Sequence, residues 1–369
     1  MEFVVKREIL LKELQHVQGV VERRTTVPIL ANILLESEGD TVRLTATDLD
    51  VTVQCACAAQ VSADGSAAVP ARKLFDLVRL FPNTDVHCNA TEPDWMKIRC
   101  ERSRIKISSL SRDNFPDVPS AGPAPLTLPA QDLRYMAAHC LFAITQEESR
   151  YTLNGALMIL RPESMSFVTT DGHRLVLIRR DVKIEGLEGE TRTLVPKKAL
   201  VEFQRLASED LLSVEFGQQE NNLFFQVGSR LLISRILTGQ FPNFEMVLPK
   251  GNDSKVVLNT LEFIDALKRV NVMADEQSHA VRLVAKEGQV DLSSAASAEF
   301  GEASDSLAAD YHGDPIRIGF NAQYLLEFLT GLESEQVSLE LADGDTPGLL
   351  RPHSEEKFDY RYVVMPLKV

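Results

Sequence analysis

The sequence predicts an α+β protein built from three copies of one module, each with two helices on antiparallel sheets. Three observations carry this. Short motifs recur in one order at a near-constant offset: "TDLD" at 47 and "TDGH" at 170, "VPARKL" at 69 and "VPKKAL" at 195, "NFPDV" at 114 and "QFPNF" at 240. A fainter third copy follows, with "VVLNTLEFIDAL" from 256 matching "LTLPAQDLRYMA" from 126, and "IGFNAQYLLEFL" from 318 matching "VPKKAL". Finally, "PSAGPAP" at 119–125 and "PKGNDSK" at 249–255 combine proline, glycine and charge, as linkers do. The expected domains are 1–122, 123–252 and 253–369; a fixed period of this kind decides the fold before any motif is read.

Within the module the elements follow from periodicity. A short strand, "EFVV", leads into "REILLKELQHV", where Leu10, Leu14 and Val17 fall on one helical stripe. Alternation follows in "TVRLTATDLDVTVQC", with Val42, Leu44 and Ala46 on one face of a strand. A second helix, "VPARKLFDLVRLF", opens at a proline, whose missing N–H is harmless near a helix start. "MKIRC" and "SRIKISSL" close the first module, and "LFFQV" and "LLISRIL" are their counterparts in the second.

Bulk composition narrows the class. At 369 residues, 44% hydrophobic and 25% charged, the chain has the make-up of a globular protein of two or three domains. No apolar run approaches the roughly 20 residues that span a bilayer, and "MEFVVKREILLKEL" does not read as a signal peptide, so a cytoplasmic protein with no membrane partner is expected. Cysteines 55, 57, 88, 100 and 140 include no CxxC pair; Cys55 and Cys57 share a strand face, and reduced packing thiols are expected.

Asp171, Gly172 and His173 invite a catalytic or metal-binding reading, since His and Asp carry protons and bind metals. The matching positions are "TDLD" in the first copy and "SAAS" at 294–297 in the third, so Thr-Asp marks a turn. Without HExxH, GxSxG or metal-spaced histidines, no catalytic residue, metal or cofactor is expected. A hydrolase using His173 with Asp171 is the rival from another class, and a scaffold that never touches DNA is a third.

A net charge of -14 argues against a protein coated in basic surface, yet cations crowd the helices and their entry loops: Lys6, Arg7, Lys12, Arg23, Arg24, Arg72, Lys73 and Arg79 in the first module, Arg134, Arg150, Lys197, Lys198 and Arg205 in the second, and Lys268 and Arg269 in the third. Helices facing one way would gather them into a smooth lining that binds phosphates without reading sequence. Three sheets joined edge to edge leave two open edges. "RCERSRIKISSL" offers a basic edge with Arg102, Arg104 and Lys106 around Ile105, and "AEFGEASDSL" an acidic one with Glu299, Glu302 and Asp305. Head-to-tail pairing of two chains would close a ring of six modules.

Seven ordered motifs covering the whole chain resemble one family: "VPILANILL" at 27–35, "TATDLD" at 45–50, "VPARKLFD" at 69–76, "RYTLNG" at 150–155, "TTDGHRL" at 169–175, "FPNFEMVLPK" at 241–250 and the terminal "YVVMPLKV". They resemble the beta subunits of bacterial DNA polymerase III, the sliding clamps. The resemblance implies a homodimeric ring around double-stranded DNA, without catalysis, that tethers the replicative polymerase and other clamp-binding proteins and is opened by a separate clamp loader. A peptide-binding pocket is implied at Leu153, Thr170, Gly172, His173, Arg174, Leu175, Pro242, Met246, Val247, Pro347, Val363, Val364, Met365, Pro366 and Leu367. Implied DNA contacts are Arg24, Arg72, Lys73, Arg150, Tyr151, Lys197 and Lys198, and the implied dimer interface holds Arg102, Arg104, Ile105, Val272, Met273, Glu299 and Glu302. Met246 stands where some relatives carry arginine, "DTPGLLRP" at 345–352 looks turn-like, and the third module is poorer in helical cations.

Overall fold

The structure, a computed structural model, describes residues 1–21, 26–120, 122–145, 147–294, 301–354 and 357–368. Arg24 and Glu299, together with most of "SAAS", lie outside the described residues. The chain forms two compact units, Met1–Arg134 with Lys198–Ile236, and Tyr135–Lys197 with Leu237–Val369. Both cut through the second sequence repeat.

In the first unit an eight-stranded antiparallel sheet runs in the order Leu126–Pro129, Ser213–Gln219, Asn222–Val227, Arg230–Arg235, Val51–Ala58, Thr41–Thr47, Asn32–Glu38 and Gly65–Pro70. Four strands of the first repeat and four of the second thus form one sheet, seamed where Leu231–Ser234 pair with Val51–Gln54. A five-stranded sheet ends at Ser103–Ser108. Helices α1 (Arg7–Val17) and α2 (Ala71–Leu80) pack against each other and these sheets. The stripe expected on α1 is buried, and Glu13 is buried with it. Glu13 accepts two hydrogen bonds from Arg230, at 2.9 and 2.7 Å. Burial would push its carboxyl up, but the Arg230 contact outweighs this and holds it below the usual carboxylate range.

α3 (Ala130–Cys140) and α4 (Lys197–Leu206) belong to the second repeat. The second unit repeats the plan, with an eight-stranded sheet in the order Thr191–Pro196, Gly155–Arg161, Ser164–Thr170, Arg174–Asp181, Asp359–Val364, Gly348–Pro352, Gln336–Leu341 and Ser254–Asn259. A four-stranded sheet ends at Ser304–Ala308, and α5 (Thr260–Asn271) packs on α6 (Ala322–Thr330). Asn259 and Asn321 cap these helices by accepting from the N–H groups of Glu262 and Tyr324. Pro70 and Pro196 end the strands before α2 and α4, where a residue without an N–H cannot extend the ladder. The C-terminal strand Asp359–Val364 is interior to its sheet, and Gly348–Leu350 of the turn-like "DTPGLLRP" pair with it as a strand.

Val42, Leu44 and Ala46, the face the alternation predicts, are inaccessible, although Thr45 and Thr47 on the other face are buried too; all five cysteines are buried free thiols. In the second unit the core is aromatic around α6, where Phe328 stacks on Tyr362 at 4.7 Å and Tyr362 donates to the Tyr324 carbonyl at 2.9 Å.

Candidate functional site

The site begins with a turn. Thr170 Oγ1 accepts from Gly172 N (3.1 Å), and Asp171 Oδ1 accepts from the backbone of His173 (2.9 Å) and Arg174 (3.1 Å). The "TDLD" turn is built alike, with Thr47 Oγ1 accepting from Leu49 N and Asp48 Oδ1 from the backbone of Asp50 and Val51. Gly172 (φ +92°) and Leu49 (φ +83°) occupy equivalent left-handed positions. Asp171 Oδ2 accepts from Arg174 Nε at 2.9 Å, so both carboxylate oxygens are engaged inside the turn. Among the described residues no group of His, Cys, Asp or Glu could hold a metal. The hydrogen bonds of Asp171 thus hold the turn's own backbone and Arg174.

The next strands supply an apolar wall. Leu153, Leu175, Leu349 and Val363 join Leu157, Ile159, Val168, Leu194, Phe241 and Phe244 in one buried cluster, with Leu177, Leu237 and Leu248 packed at its margin. Register explains the grouping: Leu175 pairs with Val363, and Val363 with Leu349, so all three share one sheet face. Pro242, Met246 and Val247 lie on the segment between Phe241 and Leu248, and they stay exposed, Met246 at 82%. An exposed methionine rimming an apolar cluster suits adaptable contacts. Beyond the wall the C-terminal residues turn away from the sheet. Met365 N donates to the His173 carbonyl (3.0 Å) and Leu367 N to Gly319 (2.8 Å), and Met365, Pro366 and Leu367 line a cleft of about 500 Å3 with Ile318 and Gly319. Pro347 is tethered by Asn252, whose side chain donates to its carbonyl at 2.9 Å.

Arg174 and Val364 pair with each other, one register step from Leu175 and Val363, and so occupy the opposite sheet face. Arg174 is only 7% exposed. Its Nη2 donates to the Phe142 carbonyl at 2.7 Å, its Nη1 binds Glu327, and its guanidinium lies 4.2 Å from the Tyr324 ring centre and 5.4 Å from that of Phe142. Burial works against the guanidinium's charge, while the Tyr362 hydroxyl and Glu327 more than restore it, leaving Arg174 held firmly cationic. Spacing gave no sign of this burial, because nothing local to residue 174 names its partners.

The expected DNA-facing cations divide. Arg72 and Lys73 are exposed on α2. Arg150 donates to the Asp171 carbonyl (3.0 Å) and pairs with Glu147 (3.3 Å), and Tyr151 beside it is 53% exposed. Lys198 binds the Asp48 carboxylate and donates to the Val20 carbonyl. Lys197 is half-buried, and burial followed by the nearby Arg174 charge lowers its pKa.

Both outer strands match the expected edges: Ser103–Ser108 borders the five-stranded sheet and Ser304–Ala308 the four-stranded one. Ile105 is half-buried between exposed Arg104 and Lys106, whereas Arg102 lies in the preceding turn. Lys106 pairs with Glu92 (3.0 Å) and lies 4.7 Å over Trp95. On the other edge Asp305 binds Arg269 (2.6 Å), Glu302 is exposed just before the strand, Val272 is 79% exposed after α5, and Met273 follows half-buried.

Three family models match in succession: the N-terminal domain of the DNA polymerase III beta subunit over residues 1–119, its central domain over 127–243 and its C-terminal domain over 245–368. The beta sliding clamp of Pseudomonas putida is 36% identical over 374 residues, covering all of both chains, and that of Caulobacter vibrioides is 34% identical over 376 residues with the same coverage. Among solved structures, the sliding clamp of Bartonella birtlesii bound to griselimycin superposes with a TM-score of 0.94 at 34% identity, covering both chains entirely. A Pseudomonas aeruginosa clamp, also bound to griselimycin, gives 0.94 at 32% identity with the same coverage. The ordered repeats, the edge-to-edge sheets and these matches lead to one conclusion: the chain belongs to the DNA polymerase III beta subunit family, the bacterial beta sliding clamps.

Proposed function

We propose that two copies of the chain pair head to tail through Ser103–Ser108 and Ser304–Ala308 and close around double-stranded DNA, holding it by topology. The free edges, one bearing Arg104 and Lys106 and the other flanked by Glu302, support this reading, since an unpaired edge is stable only when protected or paired. Contact with DNA is phosphate-directed and free of sequence preference, through Arg24, Arg72, Lys73, Arg150, Tyr151, Lys197 and Lys198. The domains divide near residues 122 and 252. The protein performs no catalysis of its own, works in the cytoplasm and depends on a separate clamp loader for opening.

The observation that carries the tethering role is the apolar wall of Leu153, Leu175, Leu349 and Val363 with its exposed rim at Met246 and Met365. Such a wall fits short peptides of the replicative polymerase and other clamp-binding proteins, whose rebinding then becomes intramolecular. Three measurements test the reading. Mass in solution should be twice 41.0 kDa. Loaded protein should stay on closed circular DNA and run off after linearisation; equal retention on both would overturn the ring. For the pocket, Val363→Ser should abolish binding of a fluorescein-labelled peptide carrying the replicative polymerase's clamp-binding segment.

A further inference from the structure

We propose that Glu327 is a positioning residue for the peptide pocket: from the opposite face of the sheet it anchors Arg174, and through Arg174 it fixes the Thr170–His173 turn that borders the apolar wall. This rests on the pocket reading above and deepens it.

The geometry ties Arg174 to the turn and to α6. Its side chain points away from the face that carries Leu175, Val363 and Leu349. Each guanidinium nitrogen has a partner there: Nε binds Asp171, Nη1 binds Glu327 and Nη2 binds the Phe142 carbonyl. Tyr324 and Phe142 rings lie against the same group. These contacts, all on the face opposite the wall, leave Arg174 7% exposed. The connection back to the pocket runs through Asp171, whose Oδ2 takes Arg174 Nε while its Oδ1 holds the backbone of His173 and Arg174. The turn's shape is thus tied to α6 by a chain of charge-assisted hydrogen bonds.

The first repeat seam supports the assignment independently. Its turn has the same backbone scheme, but Val51 stands where Arg174 does, and the second oxygen of Asp48 takes Lys198 of α4 directly. α4 and α6 are corresponding helices in the repeat, and "VEF" at 201–203 aligns with "LEF" at 326–328, so Glu202 corresponds to Glu327. In both seams the turn's aspartate is pinned to the second helix of the following repeat, by a lysine in one and by an arginine–glutamate bridge in the other. The second turn adjoins the apolar wall through Leu175, and there the pin serves recognition.

The test measures affinity of the same fluorescein-labelled peptide at 25 °C, well below unfolding. Glu327→Ala should weaken binding roughly tenfold and Glu327→Gln several-fold, mostly by faster dissociation. Glu327→Asp should recover most of the affinity. In a double-mutant cycle, Arg174→Met with Glu327→Gln should lose no more than Arg174→Met alone, because one acts through the other. Binding by Glu327→Ala within twofold of the wild type, or additive losses in the cycle, would overturn the proposal. Val363→Ser separates the two ideas: if it loses the peptide while Glu327→Ala keeps it, the pocket stands and the positioning role falls. Should Arg174→Met fail to fold, the Glu327 series alone decides.

Discussion

Glu13 and Arg230, 217 residues apart in the chain, meet in a bidentate ion pair at 2.9 and 2.7 Å, with side chains 8% and 13% exposed. The pair bridges α1 of the first repeat and the strand Arg230–Arg235 of the second, beside the seam that joins their sheets. Removing one partner strands the other's charge, so Glu13→Ala should destabilise the first unit by roughly 3–5 kcal/mol in urea unfolding. The pH sign follows from the depressed carboxyl: its stabilisation is present above the ordinary carboxylate range and fades as pH falls through the folded-state value. Replacing both residues by methionine should therefore reduce the acid sensitivity of unfolding below about pH 4.

Glu202 presents the opposite case. It is 1% exposed, its Oε2 has no hydrogen-bond partner, and burial raises its pKa against the pull of Arg205 and Lys198. A raised carboxyl favours folding below its unfolded value and loses that advantage as pH rises through the folded one. Glu202→Gln should consequently gain on the wild type between about pH 4 and pH 7, by about 1–3 kcal/mol at the upper end. Thermal melts at both ends check it; a variant that loses stability at neutral pH contradicts the assignment.

Adjacent lysines should behave differently. Lys198 is engaged by Asp48 and the Val20 carbonyl, whereas Lys197 lies beside the Arg174–Glu327 pair. Lys197→Ala should reduce the salt slope of DNA retention by about one. Lys198→Ala should reduce the slope as well and, by leaving the Asp48 carboxylate without its lysine, also lower the melting temperature. Equal effects on both readouts would count against this division.

Leu49 holds a left-handed backbone (φ +83°) with its side chain 53% exposed. Leu49→Gly should stabilise the protein by about 1 kcal/mol, since a leucine gains nothing from that conformation. At the equivalent Gly172 the reverse holds, because a side chain at φ +92° is strained where glycine is not. Urea midpoints for Leu49→Gly and Gly172→Ala should move in opposite directions.

All five thiols are buried, and burial with the nearby Glu13 pushes Cys57 up to about 12. The native protein should leave a thiol-specific reagent unreacted at neutral pH and titrate five groups once unfolded. Fast labelling of the native state would place a cysteine at the surface.

Much of the architecture could be read from short-range pattern. Leu10, Leu14 and Val17 make a stripe by spacing alone, and the paired turns at Thr47 and Thr170 share a hydrogen-bond scheme that two residue types dictate. Leu175 and Val363 of the apolar wall were legible only through the family resemblance of "TTDGHRL" and the C-terminal motif, not through spacing, since Leu175 stands in a run of buried residues. Phe241 and Phe244 sit in quoted motifs, but their inward direction depends on a segment with no regular period.

By itself the sequence determined the triplication, the helix and strand periods and the charge of each open edge, because these follow from residues within a few positions of one another. Only the tertiary structure decided that the second repeat is shared between two compact units, that Arg174 turns away from the wall beside it, and that Glu13 finds Arg230. Those outcomes depend on which strand edge meets which, and a one-residue step in register sends a side chain to the other face. Local spacing carries no information about that step.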